Sequence, residues 1–278
     1  MQRPDGDRYV KDSTWATVPA ILLGLSAMFL LVFQQYLIGY FLLACGLFVA
    51  WLCDFAALSG GLLPDLTSVG SGLIILSLSD LAADLSDLGM VRFTVVLSGA
   101  VLVPYVLTRW VVKREPRAFP GGDWHWNRAQ WSYLAAVVVI GYLLLPWYFL
   151  STGVYLNWPA VHSPGEVARL FVGVNAVGIW DELFFICTVF ALYRRHFKLW
   201  QANLLQAMIF VSFLWELGYQ SWGPLLTIPF ALIQGAIFQL TKNLRYVITV
   251  HLLFDLVVFL VLIHGHNPYW PHPFVTVP

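Results

Sequence analysis

Residues 167–193 read VARLFVGVNAVGIWDELFFICTVFALY, an apolar segment that carries Asp181 and Glu182 side by side near its middle. A helix that crosses a bilayer needs about 20 mainly apolar residues, and this segment exceeds that length. A carboxylate at the centre of such a helix costs about 2.5–3.5 kcal/mol on insertion scales. Two adjacent acids therefore indicate a wet, protein-lined position with a functional role.

The composition of the whole chain agrees with this membrane interpretation. Of the 278 residues, 59% are hydrophobic and 11% are charged, whereas soluble domains have about 25% charged residues. The formal net charge is +0, so the chain lacks the basic balance typical of nucleic-acid binding. The three cysteines lie in apolar segments without a paired spacing for zinc or redox chemistry. We expect an integral membrane protein that contacts membrane lipids and no nucleic acid.

Further apolar segments alternate with charged or Gly/Pro-containing turns. They predict an all-α, polytopic transmembrane helical bundle of about eight or nine spans. The predicted spans cover residues 15–34, 38–57, 73–90, 92–112, 131–150, 167–193, 199–217, 225–240 and 246–263. The third of these carries Asp80, Asp84 and Asp87 at helical spacing, and it crosses, dips in and returns, or lies along the surface.

A polar linker at 118–130 divides the chain into an N-terminal transmembrane portion, 1–117, with about four spans, a core at 131–264 and a tail at 265–278. Lysine and arginine collect on cytoplasmic loops of membrane proteins. Here they cluster in the N-terminal tail, at 113–128, at 194–198 and at 242–245. One shared side for all four clusters requires nine crossings, with eight as the alternative, and a cytoplasmic N-terminus. We expect the plasma membrane as the location.

Ionisable side chains recur in two later spans. Glu216 lies near the end of the segment 199–217, and His251 and Asp255 lie in the last span. Residues four apart share a helix face, so the last two can address each other or one bound atom. Each position also has a structural explanation. His251 and Asp255 could be a buried hydrogen-bonded pair that joins two helices, Glu216 could be a solvated carboxylate at headgroup level, and Asp181 could cap a helix. One shared polar site explains all of them together.

Depth along the helices tests whether these groups can meet. At about 1.5 Å per residue from the nearest basic turn, Glu182 lies roughly 18 Å along its helix, Asp255 roughly 15 Å, His251 roughly 9 Å and Glu216 roughly 27 Å. The first three can meet with ordinary helix tilt. Glu216 would need a broken or strongly inclined helix.

In the order and spacing of these residues, the chain resembles the CAAX-processing and bacteriocin-immunity (CPBP) family of intramembrane endopeptidases. That family has a Glu-Glu-x-x-x-Arg motif, then a Phe-x-x-x-His motif, then a His-x-x-x-Asn or His-x-x-x-Asp motif. Asp181 and Glu182 stand in the first motif, and His251 and Asp255 match the third. The resemblance covers about residues 130–263, so the core at 131–264 is expected to be a CPBP-like protease core.

Three positions depart from the family pattern. The family's first Glu, which activates water, corresponds to Asp181, whose carboxylate has a stem shorter by one carbon. The family's Arg corresponds to Ile186, and the His of its second motif corresponds to Leu214 in the sequence FVSFL at 210–214. Glu216, two residues further on, could take the place of that His.

The resemblance implies hydrolysis of peptide bonds in membrane-associated peptides or proteins. Such a reaction needs a water, a base and a group that stabilises the oxyanion. Asp181 or Glu182 would take the proton from the water. His251 would donate to the oxyanion or to the leaving group, and Asp255 would orient His251.

Two alternatives remain open. Glu182, Glu216, His251 and Asp255 supply oxygen and nitrogen donors suited to zinc or a similar divalent ion. The chain has no H-E-x-x-H motif, so the metal-free mechanism is favoured. A divergent member without proteolysis would instead use the acidic cluster to bind a partner or to move a proton or small ion.

Overall fold

The computed structural model describes residues 14–113, 119–271 and 273–274. The predicted basic tail before Thr14, the basic residues at 114–117 and His272 lie outside them. The described residues form helices and connecting turns without a β-strand. The nine long helices among them are α1 (Thr14–Ala27, continued as a π-helix over Met28–Val32), α2 (Tyr36–Phe55), α3 (Leu62–Ser77), α4 (Asp87–Val111), α5 (Arg128–Thr152), α6 (Pro164–Tyr193), α7 (Leu199–Leu217), α8 (Pro224–Thr241) and α9 (Leu244–His266).

Seven of these helices, all except α3 and α7, are long and apolar enough to cross a membrane. α3 has 16 residues, fewer than the roughly 20 that a full crossing needs. α7 has 19 residues, but the polar side chains of Asn203, Gln206 and Glu216 interrupt its apolar sequence. The predicted all-α polytopic bundle is confirmed, and the protein is an integral membrane protein.

The predicted span at 73–90 is wrong. α3 ends at Ser77 and α4 begins at Asp87, with non-helical residues between them. Asp80 accepts a hydrogen bond from the backbone N–H of Ala82 at 2.8 Å, and Asp84 likewise accepts one from Ser86 at 2.9 Å. Short acidic side chains that bond nearby backbone compete with helix formation. The regular spacing of these acids therefore reflects turns and a helix start.

The front and back portions of the chain pack into one bundle. The indole Nε1 of Trp180 in α6 donates to the backbone oxygen of Leu97 in α4 at 2.5 Å. Asp65 in the first turn of α3 is buried, and its two oxygens lie 2.9 Å from Arg195 Nη1 and 2.7 Å from His196 Nε2. The basic turn after α6 is therefore anchored to the front portion.

α6 is the central element of the back portion. Ser163 caps its first turn in a reciprocal capping box with Glu166, and Pro164 occupies the first helical position, where its missing N–H costs nothing. From Glu182 to Phe190 the helix widens to π geometry, a feature that occurs often at functional sites. This wide stretch is buried, and Phe185 stacks on Phe210 of α7 with ring centroids 4.3 Å apart.

Candidate active site

Four of the predicted residues converge at the centre of the back portion. Asp181 and Glu182 lie where α6 changes to π geometry, while His251 and Asp255 lie one turn apart on α9. Their exposed fractions are 1%, 0%, 4% and 5%, respectively. Two helices far apart in sequence thus bring three acids and one imidazole into a single buried cluster.

His251 is the centre of this cluster. Its Nδ1 lies 2.7 Å from Glu182 Oε1, which is hydrogen-bonding distance. Its Nε2 lies 3.6 Å from Asp181 Oδ2 and 3.8 Å from Asp255 Oδ1. The two ring nitrogens therefore face different partners, one of them bonded and the other near two carboxylates. Uncompensated charge is costly at such depth, and here the imidazole lies within 4 Å of all three acids.

Asp181 does not cap a restarted helix. Its backbone has helical angles, φ −53° and ψ −45°, and its side chain makes no capping hydrogen bond. The helix runs through this position without a break. The capping explanation for Asp181 is therefore wrong.

Gly178 permits the close approach of α9 to α6. A Cβ built at this position would overlap the Asp255 carboxylate and lie 3.2 Å from Cδ2 of His251. Glycine is the residue that allows such proximity, because it has no side chain. The position therefore helps to set the distance between the two halves of the cluster.

Gln234 of α8 is a member of the cluster that sequence reasoning missed. Its side chain is completely buried, and its Nε2 donates to Glu182 Oε1 at 2.6 Å and approaches the backbone oxygen of Val247 at 3.4 Å. An amide in the middle of an apolar span was the available signal. An uncharged polar group is less costly in a membrane helix than an acid, so this signal is weaker.

A cavity of about 430 Å³ reaches the cluster from between α4 and α6. Most of its lining is apolar, and Asp181, His251 and Asp255 are among its polar members. Within the described residues, Asp181 Oδ1 and Asp255 Oδ2 are buried without a hydrogen-bond partner. Buried polar atoms normally have partners, so two unpaired acceptors beside a cavity indicate that a water or a substrate group completes the site.

Residues 162–257 match the family model for Rce1-like proteins, described as type II CAAX prenyl endopeptidase Rce1-like. The match includes all four clustered residues. The match is to about a third of the chain and supports the resemblance of this segment to the CPBP family. No curated protein and no solved structure matches it.

Two of the three departures from the CPBP motifs, the missing His and the missing Arg, lie in different surroundings. Leu214, at the place of the second-motif His, lines the cavity. Ile186, at the place of the Arg, is fully buried in the apolar core. The position of the lost His therefore still faces the site, but an apolar side chain occupies it.

Tyr219 is a second cavity residue that sequence reasoning did not select. It follows Gly218, whose φ of +129° suits glycine because side chains rarely adopt this region. Its ring packs edge-on against Phe149 and Trp158, with centroids 5.6 Å and 5.3 Å away. Burial, with the carboxylates of Asp255 and Asp181, raises the pKa of this phenol in the α7–α8 loop well above its usual range. Tyr219 is therefore a neutral hydrogen-bond donor on the cavity wall.

The structure does not bring Glu216 into the cluster. Its two carboxylate oxygens instead accept from Gln34 Nε2 at 3.1 and 3.2 Å, at the end of α1. The predicted four-ligand metal set is consequently not assembled, because Glu216 lies apart from the other three residues. In the part of the chain that the structure describes, no group of three or more His, Cys, Asp or Glu side chains is arranged to hold a metal ion.

Proposed function

We propose that the protein is an intramembrane endopeptidase that hydrolyses peptide bonds of membrane-associated peptides or proteins. One observation carries this proposal. Asp181, with an unpaired Oδ1, and Nε2 of His251 meet at a cavity of about 430 Å³. The match of residues 162–257 to the Rce1-like family model supports the same reaction class.

In the proposed reaction, Asp181 is the base. A water between its Oδ1 and the substrate attacks the carbonyl carbon, and the carboxylate takes one proton from that water. The tetrahedral oxyanion then collapses, the C–N bond breaks, and the proton passes from Asp181 to the leaving amine nitrogen. Atoms and charge balance without a covalent enzyme intermediate.

The oxyanion needs hydrogen-bond donors that are in place before the reaction. We assign this role to Nε2–H of protonated His251 and to the hydroxyl of Tyr219, which both line the cavity. Nδ1 of His251 lies beside Glu182 and Nε2 lies beside Asp181 and Asp255, so a doubly protonated ring can donate from both nitrogens. The Tyr219 phenol would supply the second donor where Leu214 has replaced the family's His.

The cavity suggests how a substrate reaches the site. Most of its walls come from α4, α6 and the segment before α4, and they are mainly apolar, including Phe93, Leu97 and Val174. An apolar passage between two helices suits a peptide that is already in the membrane better than a soluble one. The matching family is described as prenyl endopeptidases, and we propose membrane-associated peptides as the substrate class here.

Two finer assignments are also proposals. We place the N-terminus on the cytoplasmic side and the protein in the plasma membrane. The orientation requires both α7 and α8 to cross, so that the lysine and arginine clusters at 194–198 and 242–245 share the cytoplasmic side. Single cysteines introduced at exposed Lys198 and Tyr269 test the orientation through labelling with a membrane-impermeant maleimide in intact cells. Labelling at 198 without permeabilisation would overturn the orientation.

A second function has a specific observation in its favour. Apolar Leu214 and Ile186 stand where the family has His and Arg, while the acid-rich cluster is intact. A cluster of buried acids and one imidazole can also relay a proton or bind a partner's cationic group. Proton flux into liposomes that contain the purified protein distinguishes this function from proteolysis.

The deciding experiment is a cleavage assay in liposomes. A set of membrane-anchored peptides is incubated with the parent protein and with Asp181→Ala, Glu182→Ala and His251→Ala, and the products are identified by mass spectrometry. Glu216→Gln is the matched control, because it changes a half-buried carboxylate outside the cluster. We expect cleavage by the parent and the control only. Cleavage by all three cluster variants would overturn the catalytic assignment. If the parent protein cleaves no peptide, proton relay or partner binding is favoured instead.

A further inference from the structure

We propose that Gln234 is a positioning residue that fixes which nitrogen of His251 carries a permanent proton. The catalytic meaning of this inference rests on the proposed function. The contacts from which it is argued do not depend on that function. Gln234 reaches the cluster from α8, a helix that carries none of the four predicted site residues. It contacts His251 only through the shared oxygen Glu182 Oε1.

The surroundings of the amide determine its orientation. Both atoms near its Nε2 are oxygens, namely Glu182 Oε1 at 2.6 Å and the Val247 carbonyl at 3.4 Å. A flipped amide would place its own oxygen against these two acceptors. The nitrogen must therefore face them, and an amide nitrogen can only donate.

This donation determines the role of Glu182. Its Oε1 accepts from Gln234 while it lies 2.7 Å from Nδ1 of His251. An N–H donor stabilises negative charge on the oxygen that accepts from it. Glu182 is consequently the acceptor in both bonds, and His251 Nδ1 is the donor.

The consequence concerns the other ring nitrogen. With Nδ1 always protonated, only Nε2 of His251 gains or loses a proton, and this nitrogen faces Asp181 and Asp255 at the cavity. In Ser-His-Asp enzymes a buried acid holds the catalytic imidazole in one tautomer by the same kind of contact. Here Gln234 adds a donor behind the acid, so the acid itself is held in place.

Packing around the imidazole and the amide keeps this arrangement fixed. The ring of Phe230, one turn before Gln234 on α8, meets the His251 ring edge-on with centroids 4.9 Å apart. α8 is tied to α7 because Asn203 Nδ2 donates to the Leu232 carbonyl at 2.7 Å. The donor of Gln234 is thus part of a rigid helix pair.

Gln206 provides a matched control. It is also a completely buried glutamine, but the hydrogen bonds of its Nε2 go to Asn203 Oδ1 and to the Ala231 carbonyl and not to the cluster. Gln234→Leu and Gln206→Leu remove the same amide and retain similar volume. A general loss of packing affects both variants, whereas loss of the proton arrangement affects only the first.

The test is ¹⁵N NMR of the histidine rings in the full-length protein in nanodiscs, with His251→Gln to assign the signals. The titratable groups that face His251 are Asp181 and Glu182 from α6 and Asp255 from α9, and Tyr219 from the α7–α8 loop lines the same cavity. We expect Nδ1 of His251 to stay protonated across the pH range in the parent and in Gln206→Leu. In Gln234→Leu it should exchange with the other tautomer, and turnover should fall about 10- to 100-fold, as expected for loss of a hydrogen bond to a charged group.

The outcomes separate this inference from the proposed function. An unchanged Nδ1 signal in folded Gln234→Leu overturns the positioning role, whatever the activity. A changed signal in a protein that cleaves no peptide supports the positioning role and counts against proteolysis. Gln234→Glu covers the case in which the leucine variant does not fold, because a carboxylate of the same length replaces the amide. It should also lose the fixed Nδ1 signal.

Discussion

The close approach at Gly178 gives the sharpest prediction about the cluster. In Gly178→Ala, the added methyl group would overlap the Asp255 carboxylate, 3.1 Å from its Cγ and 3.2 Å from Cδ2 of His251. Asp255 is buried on a helix that packs against α6, so neither backbone can yield cheaply. The side chain of Asp255 must move, and it displaces the imidazole beside it.

The magnitude follows from packing and from geometry. Overpacking a buried position by one methyl group costs about 1–3 kcal/mol of unfolding free energy. A displacement of about 1 Å in a catalytic group lowers the rate by roughly 100-fold. We therefore expect the free energy of unfolding of Gly178→Ala to fall by about 1–3 kcal/mol and its rate of peptide cleavage to fall by about two orders of magnitude.

The assay compares variants of the same helix. Gly165→Ala is the control, because a Cβ at position 165 meets nothing within 4 Å and alanine favours a helix by up to about 1 kcal/mol. Unfolding is followed by circular dichroism in detergent micelles with increasing denaturant, and cleavage is measured in liposomes. The double variant Gly178→Ala with Asp255→Ala removes the overlapping carboxylate.

A double-mutant cycle then tests the contact itself. The destabilisation caused by alanine at 178 should shrink when Asp255 is already alanine. Equal destabilisation in both backgrounds would refute the overlap, and so would a Gly178→Ala protein with parental stability and activity.

Two further predictions concern groups on either side of the cluster. Tyr219→Phe retains the packed ring but removes the hydroxyl donor. In steady-state kinetics kcat should fall about 100-fold or more with little change in KM, as for other oxyanion donors. An unchanged kcat would remove Tyr219 from the site. Asp65→Asn leaves Arg195 and His196 without their buried acid and should cost about 3–5 kcal/mol of unfolding free energy, without changing the tautomer of His251. Denaturant unfolding measures the stability and NMR measures the tautomer of His251. An Asp65→Asn variant with parental stability would contradict the role of the buried ion pair.

The parts of the site that could be predicted from sequence are those that are expensive in a membrane. Asp181, Glu182, His251 and Asp255 are anomalous in apolar segments, and the spacing of four places the last two on one helix face. Depth along the helices also separated Glu216 from the rest, in agreement with its contact to Gln34. These inferences need only local sequence and helix geometry.

The parts that could not be predicted depend on contacts between helices. Gln234 is uncharged, and its role appears only when α8 is placed beside Glu182. The change of α6 to π geometry leaves no clear mark in the sequence. The acids at 80 and 84 had helical spacing but bond the backbone of their own turns, so periodicity alone misassigned them.

The most direct test of the central claim compares two single-oxygen changes. Asp181→Asn and Glu216→Gln each replace one carboxylate by its amide, one inside the cluster and one at its contact with Gln34. Initial rates of membrane-peptide cleavage in liposomes are measured for both and for the parent. The proposed mechanism predicts a parental rate for Glu216→Gln and a loss of at least about 100-fold for Asp181→Asn. Equal cleavage by the parent and Asp181→Asn would contradict it.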